Sequence, residues 1–199
     1  MRWLAASLAV VSLVAHGHGE KSPPASPLTK TPYMAVIREA PNFGLQAFNG
    51  ETIKLSELRG RPVLVAFIYT TCTGACPLLS ARMSRLQQML EKARIPAALV
   101  SVTVDPQRDD AKTLAAYAKR FGAGPGWHFV REEPARLAPV LAAYDEWTRR
   151  EGSGELDHPA RLHLIDAAGR VREIYSLAFF DEEQAFLDIK ALHKQALSR

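Results

Sequence analysis

Cys72 and Cys76 are the only cysteines of the chain, four positions apart in the segment Tyr69-Thr70-Thr71-Cys72-Thr73-Gly74-Ala75-Cys76-Pro77. A sulfur pair at this spacing can close a stabilising disulfide, cycle between dithiol and disulfide, or hold a soft metal ion. On a regular helix the Cβ atoms at i and i+4 lie about 5–6 Å apart, whereas a disulfide requires about 3.5–4.5 Å. The spacing therefore disfavours an unstrained permanent bridge unless the turn bends, while two thiolates around one metal accept the wider gap. Both sulfurs also fall near a predicted helix start, whose partial positive charge favours thiolate over thiol.

Two sulfurs are an incomplete metal site. Of the six histidines, His158 stands in residues 149–159, a Gly- and charge-rich loop that no core explains and that leads into a predicted strand. His163 alternates with Leu162 and Leu164 and reads as a strand-face residue; His128 and His193 occupy ordinary strand and helix positions. Cys72, Cys76 and His158 together make a soft donor set suited to copper. Thiolate favours Cu(I), and Cu(II) outcompetes zinc at most mixed sites; zinc usually draws a fourth protein ligand. Asp157 must turn the opposite way from His158 and is assigned to orienting the loop. Asp105, at the end of the next predicted strand, is placed to face the thiols. Met83 and Met89 are spaced for core packing.

The elements that position these residues are legible from periodicity. Residues 63–69 form a near-continuous apolar run, which reads as a strand buried on both faces with chemistry at its carboxyl end. Thr70, Thr71 and Thr73 are candidate caps for a helix over 78–93, with Pro77 in its first turn. Upstream, Asn49-Gly50 marks a hairpin, followed by a turn of helix at 56–58. Downstream the pattern predicts a strand over 97–104, a helix capped by Asp109 or Asp110 and running to Arg120, and a short strand at 127–130. A helix over 134–147 should begin at Pro139 or kink there. Two strands at 161–166 and 170–175 and a helix from Asp181 to Leu197 complete the order. This is the outline of an α/β, thioredoxin-like fold: a central mixed sheet of four or five strands flanked by helices, with an N-terminal hairpin extension.

The chain has 199 residues, 47% of them hydrophobic, enough for one core and one domain over residues 41–199. Its net charge of +4 is modest and its basic residues are interspersed with acidic ones, so no nucleic-acid partner is expected. Arg2 followed by an apolar stretch from Trp3 to Ala15 predicts an export signal over residues 1–19, either cleaved or kept as an inner-membrane tether. Residues 20–40 contain Pro23, Pro24, Pro27 and Pro32 with few large apolar side chains, and read as an extended, solvated tether. An exported, periplasmic thiol pair will oxidise unless it is reduced or occupied.

Three separated segments carry a family resemblance. They are Tyr69 to Pro77, the run Ser101-Val102-Thr103-Val104-Asp105-Pro106 with Arg108-Asp109, and Asp157-His158 ahead of Leu164-Ile165-Asp166. In this order they resemble the Sco (SenC/PrrC) family of thioredoxin-like copper proteins, over roughly residue 40 to the end. The family's two cysteines match Cys72 and Cys76, and its distal histidine ligand matches His158. The resemblance implies a metallochaperone that binds one copper and helps to assemble the copper-A centre of cytochrome c oxidase. The apo oxidase subunit would be its partner, with other periplasmic copper carriers or thiol reductases beside it. The alternative is a thiol-disulfide oxidoreductase that keeps the recipient's copper-ligand cysteines reduced. Thr73 stands where many members have proline, and Pro159 where serine or threonine is frequent.

Overall fold

Residues 63–68 carry six apolar side chains in succession, and a strand of that composition has to be covered on both faces. In the computed structural model, which describes residues 34–198, each of them is at most 2% exposed. The predicted signal and residues 20–33 of the predicted tether lie outside the described residues. In chain order the elements are β1 (Arg38–Glu39), β2 (Gly44–Ala47), β3 (Thr52–Lys54), β4 (Val63–Ile68), α1 (Ala75–Ala93), β5 (Ala98–Thr103) and α2 (Ala111–Arg120). There follow β6 (Trp127–Arg131), α3 (Pro134–Ala143), β7 (Arg149–Arg150), β8 (Leu156–Asp157), β9 (Arg161–Ile165), β10 (Arg170–Ser176) and α4 (Glu182–Leu197), with short 3-10 turns at Leu55–Leu58 and Leu177–Phe179.

The sheet has eight strands in the order β1-β10-β9-β4-β5-β6-β2-β3, not four or five. Its centre is as expected: β4, β5 and β6 run parallel, and β9 and β10 are antiparallel neighbours. The extra strands come from the predicted hairpin, β2 and β3, which pairs with β6, and from β1, which pairs with β10. Residues 34–40, read from sequence as the end of a solvated tether, are thus part of the domain. Met34 is buried, and its carbonyl and that of Ala35 accept from the Arg172 guanidinium.

Helix α1 buries Cys76, Leu79, Met83, Leu86 and Leu90, the 3- and 4-residue spacing of one helical stripe. It packs beside α4, to which Arg85 is joined by an ion pair with Glu182 at 3.0 Å. None of the threonines expected to cap α1 does so. Gly74 occupies the cap position without a side-chain bond, because Thr70 and Thr73 are hydrogen-bonded to Asp109 and Glu155 instead. Asp110, not Asp109, caps α2 by accepting from the Thr113 N–H at 2.7 Å.

Helix α3 begins at Pro134, ahead of Pro139, and ends at Ala143, short of the expected Trp147. Pro134 has the φ of a first helical residue already built in, and at the other end Asp145 adopts a left-handed conformation (φ 58°) that ends the helix. Residues 149–159 are not a plain loop: β7 and β8 pair across a turn containing Gly152 and Gly154, and Leu156 is buried. No helix among the described residues is long and apolar enough to cross a membrane.

Candidate metal centre and thiol pair

Strand β4 delivers the chain to the site. Just past its carboxyl end, Cys72 lies half-buried in the turn before α1, while Cys76 lies in the first turn of the helix and is 1% exposed. Both are free thiols, and the Cys76 backbone N–H donates to the Cys72 sulfur, N···Sγ 3.4 Å. The pair is electrostatically unequal. Donation from the Cys76 thiol holds Cys72 down to about 5, against partial burial and with help from the Cys76 and Gly74 amides and the Tyr69 hydroxyl. The same sharing of a proton, together with burial, pushes Cys76 up. One sulfur is therefore a thiolate at neutral pH and the other retains its proton.

Asp109 lies beneath this turn. Its carboxylate accepts from the Thr70 N–H at 3.1 Å, from the Thr70 hydroxyl and from the Thr103 hydroxyl. Burial raises its pKa in spite of those bonds. Asp105, expected to face the thiols, points elsewhere: it is buried in an ion pair with Arg108, with Arg150 at 3.5 Å. The acid four residues later occupies that place because two threonine hydroxyls there turn toward it.

The histidine arrives from the other side of the sheet's centre line. β9 runs antiparallel to β4, and the β7–β8 hairpin that precedes it folds over the cysteine turn. Two hydrogen bonds hold it there, from the Thr73 hydroxyl to Glu155 at 2.7 Å and from the Leu156 N–H to the Tyr69 hydroxyl at 3.2 Å. Burial, the largest cause, helps to push Tyr69 up to about 12, so its hydroxyl stays protonated. His158 stacks edge-on against the Tyr69 ring, centroids 5.8 Å apart, and its Nδ1 lies 3.4 Å from Glu146 Oε2. Asp157 accepts from Arg149 at 2.6 Å across the hairpin.

Cys72, Cys76 and His158 thus line one open cleft of about 680 Å³, together with Tyr69, Leu78 and Leu177. Among the described residues no three His, Cys, Asp or Glu side chains stand close enough together to hold a metal ion. The donors share a cleft without being drawn into a finished coordination shell. His163 is fully buried against Phe67 and Tyr144, with neither ring nitrogen hydrogen-bonded, and Met83 is core. Sequence reasoning gives Glu146 and Glu155 no site role, and reads Asp109 only as a helix cap and part of a family segment. Tyr69 read as strand, and Glu146 fell inside what looked like helix.

The SCO1/SenC family model matches residues 34–194. The chain belongs to the SCO1/SenC family. It is similar to the SCO1 protein homolog of Bacillus subtilis, 28% identical over 144 residues that cover 69% of this chain and 74% of that protein. Among solved structures it resembles Bradyrhizobium japonicum ScoI with copper bound, at 27% identity and a TM-score of 0.68, covering 77% of this chain and 99% of that one. BsSco, a member of the Sco family of cytochrome c oxidase assembly proteins in which a disulfide switch has been identified, shares the fold at 22% identity and a TM-score of 0.70, covering 79% and 95% of the two chains. The thioredoxin-like architecture expected from sequence is that of these SCO1/SenC structures.

Proposed function

We propose that this protein is an exported, periplasmic copper carrier in which Cys72, Cys76 and His158 hold one copper ion and pass it to the copper-A site of apo cytochrome c oxidase during assembly. The observation that carries the reading is the shared cleft: two sulfurs and one imidazole, brought from segments more than eighty residues apart, line the same opening. Copper is the cargo. The Cys72 thiolate meets it first, Cys76 gives up its proton on ligation, and His158 closes from the opposite wall on its glycine-containing hairpin. Release is ligand exchange, in which the recipient's thiolates replace these donors one at a time. Because the ligands must shed protons, affinity falls in acid.

The test is an anaerobic Cu(I) titration of the reduced protein. One equivalent bound by the wild type, with binding strongly weakened in His158→Ala and Cys72→Ala, supports the carrier reading. Unchanged binding in His158→Ala refutes the ligand set.

A second reading is favoured by the inequality of the two thiols. In a thiol-disulfide oxidoreductase, the half-exposed Cys72 thiolate attacks a target disulfide, and Cys76 then displaces the mixed disulfide, leaving a Cys72–Cys76 bond and two thiols on the target. The two electrons must be restored by a separate thiol reductase. Under this reading His158→Ala keeps dithiol activity, and the copper titration separates the two.

A further inference from the structure

The turn that ends α3 sends a carboxylate inward. Asp145 has φ 58°, and Glu146 after it is 3% exposed. No Lys or Arg side chain among the described residues pairs with Glu146. Burying a carboxylate is costly unless its oxygens accept hydrogen bonds, and each of these has a nitrogen within reach. Oε1 accepts from the Arg161 backbone N–H at 3.1 Å, and Oε2 stands 3.4 Å from His158 Nδ1. These two partners bracket Pro159 and Ala160, the latter in a left-handed conformation at φ 50°. One acid therefore grips both ends of the tight turn that carries His158.

We propose that Glu146 is the positioning residue for His158: it keeps the ring proton on Nδ1 and turns that nitrogen inward, so that Nε2 is the one offered to the cleft shared with Cys72 and Cys76. The ring meets no other hydrogen-bond partner among the described residues, and Tyr69 limits its rotation from the side. The proposal rests on the copper-carrier reading, in which Nε2 is the donor to the metal. An imidazole whose second nitrogen is held by a carboxylate is a better-oriented and more basic ligand.

Glu146→Gln tests this with almost no change of shape. The Arg161 N–H can only donate, so the glutamine oxygen remains on it and the amide NH₂ is left facing Nδ1. Nδ1 must then accept, and the ring proton moves to Nε2. In reduced, metal-free wild type, long-range ¹H–¹⁵N spectra in mildly alkaline buffer should show a protonated Nδ1 and a bare Nε2 on His158; in Glu146→Gln the pattern should reverse. Cu(I) affinity should fall about 10- to 100-fold in the variant, while the rate of Cys72 alkylation stays at the wild-type value. A purely structural acid would change thermal stability without moving the proton. A wild-type ring protonated on Nε2 overturns the proposal whether or not the variant folds, as does a variant that binds Cu(I) as tightly as wild type. A wild-type protein that takes up no copper instead sinks the carrier reading, and the ring spectrum still decides what Glu146 does to His158.

Discussion

The cysteine turn and the histidine hairpin face each other across one cleft but are held by different forces. The turn grows directly out of β4, whose residues are all buried, and is pinned from below by the buried carboxylate of Asp109. The hairpin has only Leu156 in the core and is fixed mainly by polar contacts at Thr73, Tyr69, Asp105 and Glu146. Burying a run of apolar side chains is worth far more than a few hydrogen bonds at about 1 kcal/mol each. One side of the site is thus a hydrophobically packed platform and the other an arm with little apolar anchoring, the side that the proposed carrier function would have open.

Breaking the platform should cost most. Phe67 is fully buried against Tyr144 and His163, and Phe67→Ala should destabilise the protein by about 3–5 kcal/mol, read as a lower urea midpoint. Acid should act on the same layer. Burial, with Arg38 and Arg161 nearby, lowers His163 from its ordinary 6.5 to about 4. The unfolded chain therefore takes up this proton first as pH falls. The stability from keeping His163 neutral is complete above pH 6.5 and is lost toward pH 4, a change of about 3 kcal/mol. His163→Phe should flatten that slope in denaturation curves taken across the interval; an equally steep slope would assign it to other groups.

Smaller effects follow from the polar anchors. Asp109→Ala strands the Thr70 N–H and the Thr70 and Thr103 hydroxyls, and should cost about 1–3 kcal/mol with faster amide exchange at Thr70. Thr73→Val removes only the exposed bond to Glu155. Its cost should stay below about 1 kcal/mol, while exchange of the Leu156 amide accelerates and that of β4 does not. Equal acceleration in both would erase the distinction between platform and arm.

The same contrast explains what could be read from sequence. Continuous apolar runs announced β4 and β5, helical periodicity announced α1, and the residue types of Cys72, Cys76 and His158 announced the chemistry. Two-residue strands such as β1, β7 and β8 carry no period to detect. Trp147 continued the apolar spacing of α3 in sequence, but it is 49% exposed beyond the turn at Asp145. That turn is what drives Glu146 inward, so the residue gripping His158 was hidden by a helix that stops three residues earlier. Asp105 drew attention because it ends the strand beside the cysteine strand. Asp109 holds the turn because Thr70 and Thr103 converge on it, a juxtaposition made only by the pairing of β4 with β5.

The central claim is that donors from the platform and the arm meet on one ion. X-ray absorption spectroscopy of the reduced protein loaded with one equivalent of Cu(I) measures this directly. Two sulfur scatterers and one imidazole nitrogen, with the imidazole signal absent in His158→Ala, are the predicted result. A sulfur-only shell in the wild type, unchanged by that substitution, would contradict it.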